Sequence, residues 1–268
     1  MKFVSLASAL LCAGLAAAAP GTAARRQRAA EREVARRSAS RSSNFLQPSE
    51  GDLQAALGND SHVQYSSNWA GAVLIGTGYT TVTGTIVVPT PEVPDGGRSS
   101  TTYSASAWVG IDGDTCTTSI LQTGVDFSVR GSSVSFDAWY EWYPDYAYDF
   151  SGFSVSAGDT ITMTVTATSK KAGTAVLENE TTGKSVTHTF SGETDALCEY
   201  NAEWIVEDYE SGGSLVAFAD FGTVTFTGAE ANGDIGTSGA TIIDIEQNNE
   251  VLTSCSASGT TVTCEYTG

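Results

Sequence analysis

Three short stretches of this sequence carry acids, amides and large aromatics on alternate residues. In Ile120-Leu-Gln-Thr-Gly-Val-Asp-Phe127, a period of two puts Leu121, Thr123, Val125 and Phe127 on one face and Ile120, Gln122, Gly124 and Asp126 on the other. In Phe136-Asp-Ala-Trp-Tyr-Glu-Trp-Tyr143, Asp137, Trp139, Glu141 and Tyr143 share a face. In Glu199-Tyr-Asn-Ala-Glu-Trp-Ile-Val-Glu207, Tyr200, Ala202, Trp204 and Val206 form an apolar face, opposite Glu199, Asn201, Glu203, Ile205 and Glu207. Carboxyl groups of this kind serve acid–base chemistry. Polar faces of antiparallel strands ordinarily meet only water. Trp108, Trp139 and Tyr143 beside these acids argue for something to bind. If the three faces line one concave sheet, they make a groove for an extended chain. Alternation alone leaves Glu199, Glu203 and Glu207 equivalent.

Other chemistries lack their parts. The sequence has two histidines, His62 and His188, and neither His-Glu-x-x-His nor Gly-x-Ser-x-Gly occurs. Asp112-Gly-Asp-Thr115 lacks the later ligands of a calcium loop and reads as a turn. No metal and no cofactor is expected.

The elements that must position these residues are strands. Thr80–Val88, Ser133–Tyr140, Thr160–Thr168 and Ser185–Phe190 alternate β-branched or aromatic residues with polar ones. Gly131-Ser132, Ala157-Gly158-Asp159, Thr182-Gly183, Gly212-Gly213 and Gly233-Asp234 punctuate them. No amphipathic helical stretch and no repeat stands out. The expected class is all-β, an antiparallel β-sandwich.

The N-terminus reads differently. Met1-Lys2, an apolar run to Leu15 and Ala16–Ala19 form an expected signal peptide, residues 1–19. Residues 20–48 hold seven arginines against Glu31 and Glu33, whereas Ser61 onward holds 26 acids against five lysines and arginines. Such a split predicts a basic propeptide, residues 20–60, covering an acidic cleft and loosening when carboxylates protonate. The mature domain is then 61–268, secreted and working in acid, with its N-terminus between about Asn59 and Ser67. Once Cys12 leaves with the leader, Cys255 and Cys264 flank a hairpin and pair, leaving Cys116 with Cys198. Asn179-Glu-Thr181 is a glycosylation sequon expected on a surface turn.

The segments Ser67–Ala72, Val87–Pro89, Trp108–Asp114, Ile120–Asp126, Ala138–Pro144, Asn201–Asp208, Phe218–Gly222 and Ile245–Gln247 run in order and closely resemble the eqolisin family of glutamic peptidases. The resemblance implies a secreted acid endopeptidase precursor that is insensitive to aspartic-peptidase inhibitors. It implies two roughly seven-stranded sheets, jelly-roll-like, with the site on the concave face. The family's catalytic glutamine falls on Gln122 and its glutamate on Glu203; Trp108 resembles the tryptophan lining the substrate, and Asp126, Trp139 and Glu141 join it as substrate-binding candidates. A Glu203 carboxylate can take a proton from water and return it to the amine, while the Gln122 amide orients the water and donates to the oxyanion. Polypeptide substrates and the chain's own propeptide are the partners expected of a monomer, with neither nucleic acid nor membrane. A sandwich glycosidase using Asp137 with Glu141, or Glu203 with Glu207, and a lectin-like module are the alternatives.

Overall fold

A computed structural model describes residues 41–49 and 63–268. The expected signal peptide, the region of the expected mature N-terminus up to residue 62, His62 and the rest of the basic segment lie outside the described residues.

Two sheets make a sandwich. One has seven strands in the order β11 (Lys184–Ser191), β10 (Ala172–Asn179), β9 (Thr160–Ser169), β4 (Thr81–Val87), β16 (Thr223–Ala231), β20 (Thr261–Tyr266) and β19 (Thr253–Ser258). The other runs β18 (Glu250–Val251), β17 (Thr241–Gln247), β3 (Trp69–Ile75), β12 (Asn201–Glu207), β5 (Tyr103–Ile111), β6 (Ile120–Arg130), β7 (Ser133–Tyr143) and β8 (Tyr148–Asp149). Two short strands, β2 (Gln64–Ser66) and β15 (Ala217–Phe218), add to it in parallel on β17 and β5. This sheet therefore has ten strands rather than the expected seven or so, and two pairings are parallel. A third, small sheet joins β1 (Arg41–Ser42), β13 (Glu210–Ser211) and β14 (Ser214–Leu215). No helix occurs among the described residues.

Alternation explains the layering. In β9, Ile161, Met163, Val165 and Ala167 point inward and threonines point out. In β4, Val82 and Ile86 meet Val109, Leu121, Val125 and Phe127 of the opposite sheet in one core. Outside, Thr83 meets Thr164 at 2.9 Å and Thr85 meets Thr162 at 2.7 Å, cross-strand hydroxyl pairs. Trp204 spans the sandwich, its Nε1 donating to the Thr83 carbonyl at 2.7 Å. Gly84 makes room, since a Cβ there would lie 2.9 Å from the indole. The β6–β7 hairpin turns on Gly131-Ser132, with Gly131 at φ 61°, as a two-residue connection of right-handed strands requires.

Both expected disulfides are present, Cys116–Cys198 and Cys255–Cys264, the second joining directly paired residues of β19 and β20. The sequon is different. Asn179 is 1% exposed at the end of β10, its Nδ2 donating to Asp159 at 2.8 Å and its Oδ1 accepting from the Thr182 amide at 2.9 Å. The side chain locks a turn instead of presenting a glycan acceptor to solvent.

Candidate active site

The outer face of the larger sheet brings the three stretches together. Strand register sets residues in rows across it. Glu203 lies opposite Gly110, Gly110 opposite Gln122, and Gln122 opposite Glu141. The next row along the strands is Gly71, Ile205, Trp108, Gly124 and Trp139. A third is Trp69, Glu207, Ser106, Asp126 and Asp137. The first two rows set glycines beside the large and acidic side chains. A Cβ on Gly124 would sit 2.5 Å from Trp108 Cβ, and one on Gly110 would sit 2.8 Å from both Glu203 Oε1 and the Trp108 ring. The glycines are the clearance in which the indoles and the carboxyl lie.

Gln122, Glu141, Glu203 and Glu207 are all 0% exposed with residues 41–49 in place. Gln122 donates through Nε2 to Glu141 Oε2 at 3.1 Å. Gln122 Oε1 and both oxygens of Glu203 have no hydrogen-bond partner among protein atoms. Trp108 donates through Nε1 to Glu207 at 2.9 Å, and its ring meets Trp69 edge-on at 5.0 Å. Burial drives the protonation of this set. It raises Glu203 well above the usual carboxylate range, with Asp112 and Asp114 adding repulsion. Burial likewise raises Glu141 well above that range, and Glu207 to about 7, against the pull of Arg41.

Glu199 drops out of the sequence's three equivalent acids. It precedes β12, at φ 66°, in a segment whose amides are gathered by one carboxylate. Asp112 accepts from the backbone N–H of Cys198, Glu199, Tyr200 and Asn201 at 2.7, 2.9, 2.7 and 3.2 Å. The loop rejected as a calcium site thus fixes where β12 begins and delivers Glu203 to its row. Glu207 stays on the face but two rows, four residues, further along the strand from Glu203, bonded to Trp108.

The groove holds a piece of its own chain. Arg41 forms ion pairs with Asp126 at 2.6 Å and Glu141 at 3.5 Å, and donates to Ser106 at 3.0 Å. Its guanidinium lies over Trp139 at 3.7 Å and Tyr209 at 4.6 Å. The Ser43 amide donates to Glu141 at 3.3 Å, Trp69 Nε1 donates to the Asn44 carbonyl at 3.0 Å, and Phe45 meets Tyr143 edge-on at 4.7 Å. Of the expected site residues, Gln122, Glu203, Trp108, Asp126, Trp139 and Glu141 all share this face. Sequence reading missed Gly110, Ser106 and Tyr209. Gly110 and Ser106 alternate with Trp108, but only strand register shows what they stand beside.

Comparison with known proteins decides the family. A family model described as the Peptidase A4 family matches residues 67–266. The chain is 54% identical to Aspergillopepsin-2 of Aspergillus niger, covering 99% of this chain and 100% of that protein. It is 44% identical to Scytalidopepsin B of Scytalidium lignicola, again over 99% and 100%. A crystal structure of scytalido-glutamic peptidase with a transition state analog inhibitor superposes with a TM-score of 0.69 at 47% identity, covering 75% of this chain and 98% of that one. The chain belongs to the peptidase A4 (eqolisin) family. As an eqolisin it is a glutamic-type acid endopeptidase, a hydrolase of peptide bonds in polypeptide substrates.

Proposed function

We propose that this eqolisin is secreted as an inactive precursor and that Glu203 and Gln122 carry its chemistry. The carrying observation is the row Glu203–Gly110–Gln122, two buried side chains with unpartnered oxygens on either side of a residue without a side chain. A water between them can be oriented by Gln122 Oε1 while Glu203, in its ionised fraction, takes its proton as its oxygen attacks the scissile carbonyl. The remaining Nε2 hydrogen of Gln122 donates to the oxyanion, and it does not titrate away in acid. Glu203 then passes the proton to the leaving nitrogen, so the C–N bond breaks with protons balanced. Trp108, Asp126 and Trp139 line the groove for the extended substrate.

The zymogen reading rests on Arg41 to Phe45, which fill the groove above the catalytic row. Their cleavage from the domain, leaving a mature N-terminus between about Asn59 and Ser67, lets them dissociate and give the face to substrate. The leader, residues 1–19, carries the precursor out of the cell, and the mature domain acts as a monomer.

Digestion of a denatured protein at about pH 3 and pH 7 tests the assignment. Activated wild type is expected to cut in acid alone and to resist an aspartic-peptidase inhibitor. Gln122→Ala and Glu203→Gln are each expected to lose about 10²-fold or more in rate. Cutting retained by Glu203→Gln overturns the role of Glu203. A purified precursor fully active in acid with residues 20–60 still attached overturns the zymogen reading.

A further inference from the structure

Glu141 is a buried carboxyl that the hydrolytic steps above do not use. It lies directly opposite Gln122 across the β6–β7 ladder, fully enclosed, and receives the Nε2 hydrogen bond at 3.1 Å. A side-chain amide has two chemically different ends, and the catalytic reading above works in one orientation. With Nε2 held toward β7, Oε1 is the end turned away from Glu141, and it is the end left without a partner. Rotation by half a turn would set the amide oxygen against Glu141 Oε2, an acceptor in the carboxylate and still an acceptor in the neutral acid that carries its proton on Oε1.

We infer that Glu141 is the positioning residue for Gln122, its carboxyl fixing which end of the amide serves the water and which hydrogen serves the oxyanion. This rests on the role given to Gln122 above. The charge of Glu141 then matters. Ionised, it still accepts from Nε2 but places a negative charge beside the forming oxyanion, which opposes the reaction. Neutral, it keeps the acceptor and removes the repulsion. Glu141 therefore turns activity down as pH rises; burial, with residues 41–49 in place, and Glu207 on β12 favour its neutral form. The other charged or titratable groups facing it are Arg41, which leaves with the prosegment, and Tyr143 on its own strand.

The test uses the chain expressed as full-length precursor and activated in acid, with kcat and KM on one peptide measured from pH 2 to pH 8 and thermal melts at each pH. Glu141→Gln keeps an acceptor for Nε2 but cannot ionise. It is expected to retain acid activity within about tenfold and to move the alkaline limb of kcat upward by at least half a pH unit. Glu141→Leu removes the acceptor and is expected to lower kcat about 10- to 100-fold with KM changed less than threefold. If Glu141→Gln leaves the limb in place while the fold persists, the limb belongs elsewhere and the inference is wrong. If Glu141→Leu raises KM with kcat intact, Glu141 binds substrate and does not position Gln122. A fully active Gln122→Ala would instead overturn the catalytic reading itself, and the two failures are thereby separated.

Discussion

Gly110 sits between the two catalytic candidates with its φ outside the left-handed region, so an alanine there strains nothing in the backbone. Its methyl would meet Glu203 Oε1 and the Trp108 ring at 2.8 Å. Gly110→Ala is therefore expected to shift the melting temperature by only a few degrees while lowering kcat/KM about 10²-fold, because displacement of about 1 Å costs that much. Unchanged turnover in this variant would mean the reacting atoms sit elsewhere. Asp114 gives a second handle. Its charge is one of the causes that hold the Glu203 carboxyl up, after burial and Asp112. Asp114→Asn should let Glu203 ionise at lower pH, and a bell-shaped kcat/KM profile should show its acid limb displaced downward. The sequence placed Gln122 and Glu203 on the outer face by alternation and selected Glu203 by motif. It could not place Gly110 between them, because register is a tertiary property that no single strand encodes.

The long strands were legible because each carries its own pattern of inward apolar and outward threonine residues. Thr160–Thr168 was expected and Thr160–Ser169 is β9. The shortest strands were not: β1, β8, β13, β14, β15 and β18 have two residues each, too few for a period to register. Asn179 was misread for a related reason, since the sequon is a local pattern and burial is not. Asp112 shows how much one loop residue can hold. Asp112→Ala would orphan four amides at the start of β12 and should cost about 3 kcal/mol or more in a urea titration. The neighbouring Cys116–Cys198 bond closes a loop of 82 residues, and replacing both cysteines by alanine should cost about 2–5 kcal/mol. Both losses act on the same strand, so the double change is expected to be less than additive.

Across the molecule, buried acids set the working pH. Burial raises Asp208 to about 7, Asp126 and Asp244 to about 6, and Glu207 to about 7, with Glu141 and Glu203 also well above their usual range. In the unfolded chain these groups titrate near 4. Folded values above unfolded ones mean that the protonated acids favour the fold fully below about pH 4, and that this contribution is lost as pH rises through 6 and 7. The melting temperature is expected to fall between pH 4 and pH 7. Asp208, whose carboxyl accepts from Gln247 at 2.8 Å, contributes part of that slope. Asp208→Asn should flatten it, and an unchanged slope would assign the effect to the other acids.

Gln47 and Ser49, at the far end of the segment lying in the groove, are tied to the strand that begins the domain. The Ser67 amide donates to the Gln47 carbonyl at 2.8 Å and the Ser49 amide to the Tyr65 carbonyl at 3.0 Å. A cut that leaves a mature N-terminus between about Asn59 and Ser67 breaks the covalent link but leaves these non-covalent contacts in place until the segment dissociates. The occupant of the groove changes from a tethered part of the enzyme into a ligand, and its occupancy passes from an effective concentration fixed by the tether to the concentration in the medium. Freshly cut enzyme is therefore expected to gain specific activity on dilution and to lose it again when the released peptide is added back. The uncut precursor should show neither response. Under the proposed secretion and zymogen reading, activation is completed by dispersal as well as by proteolysis.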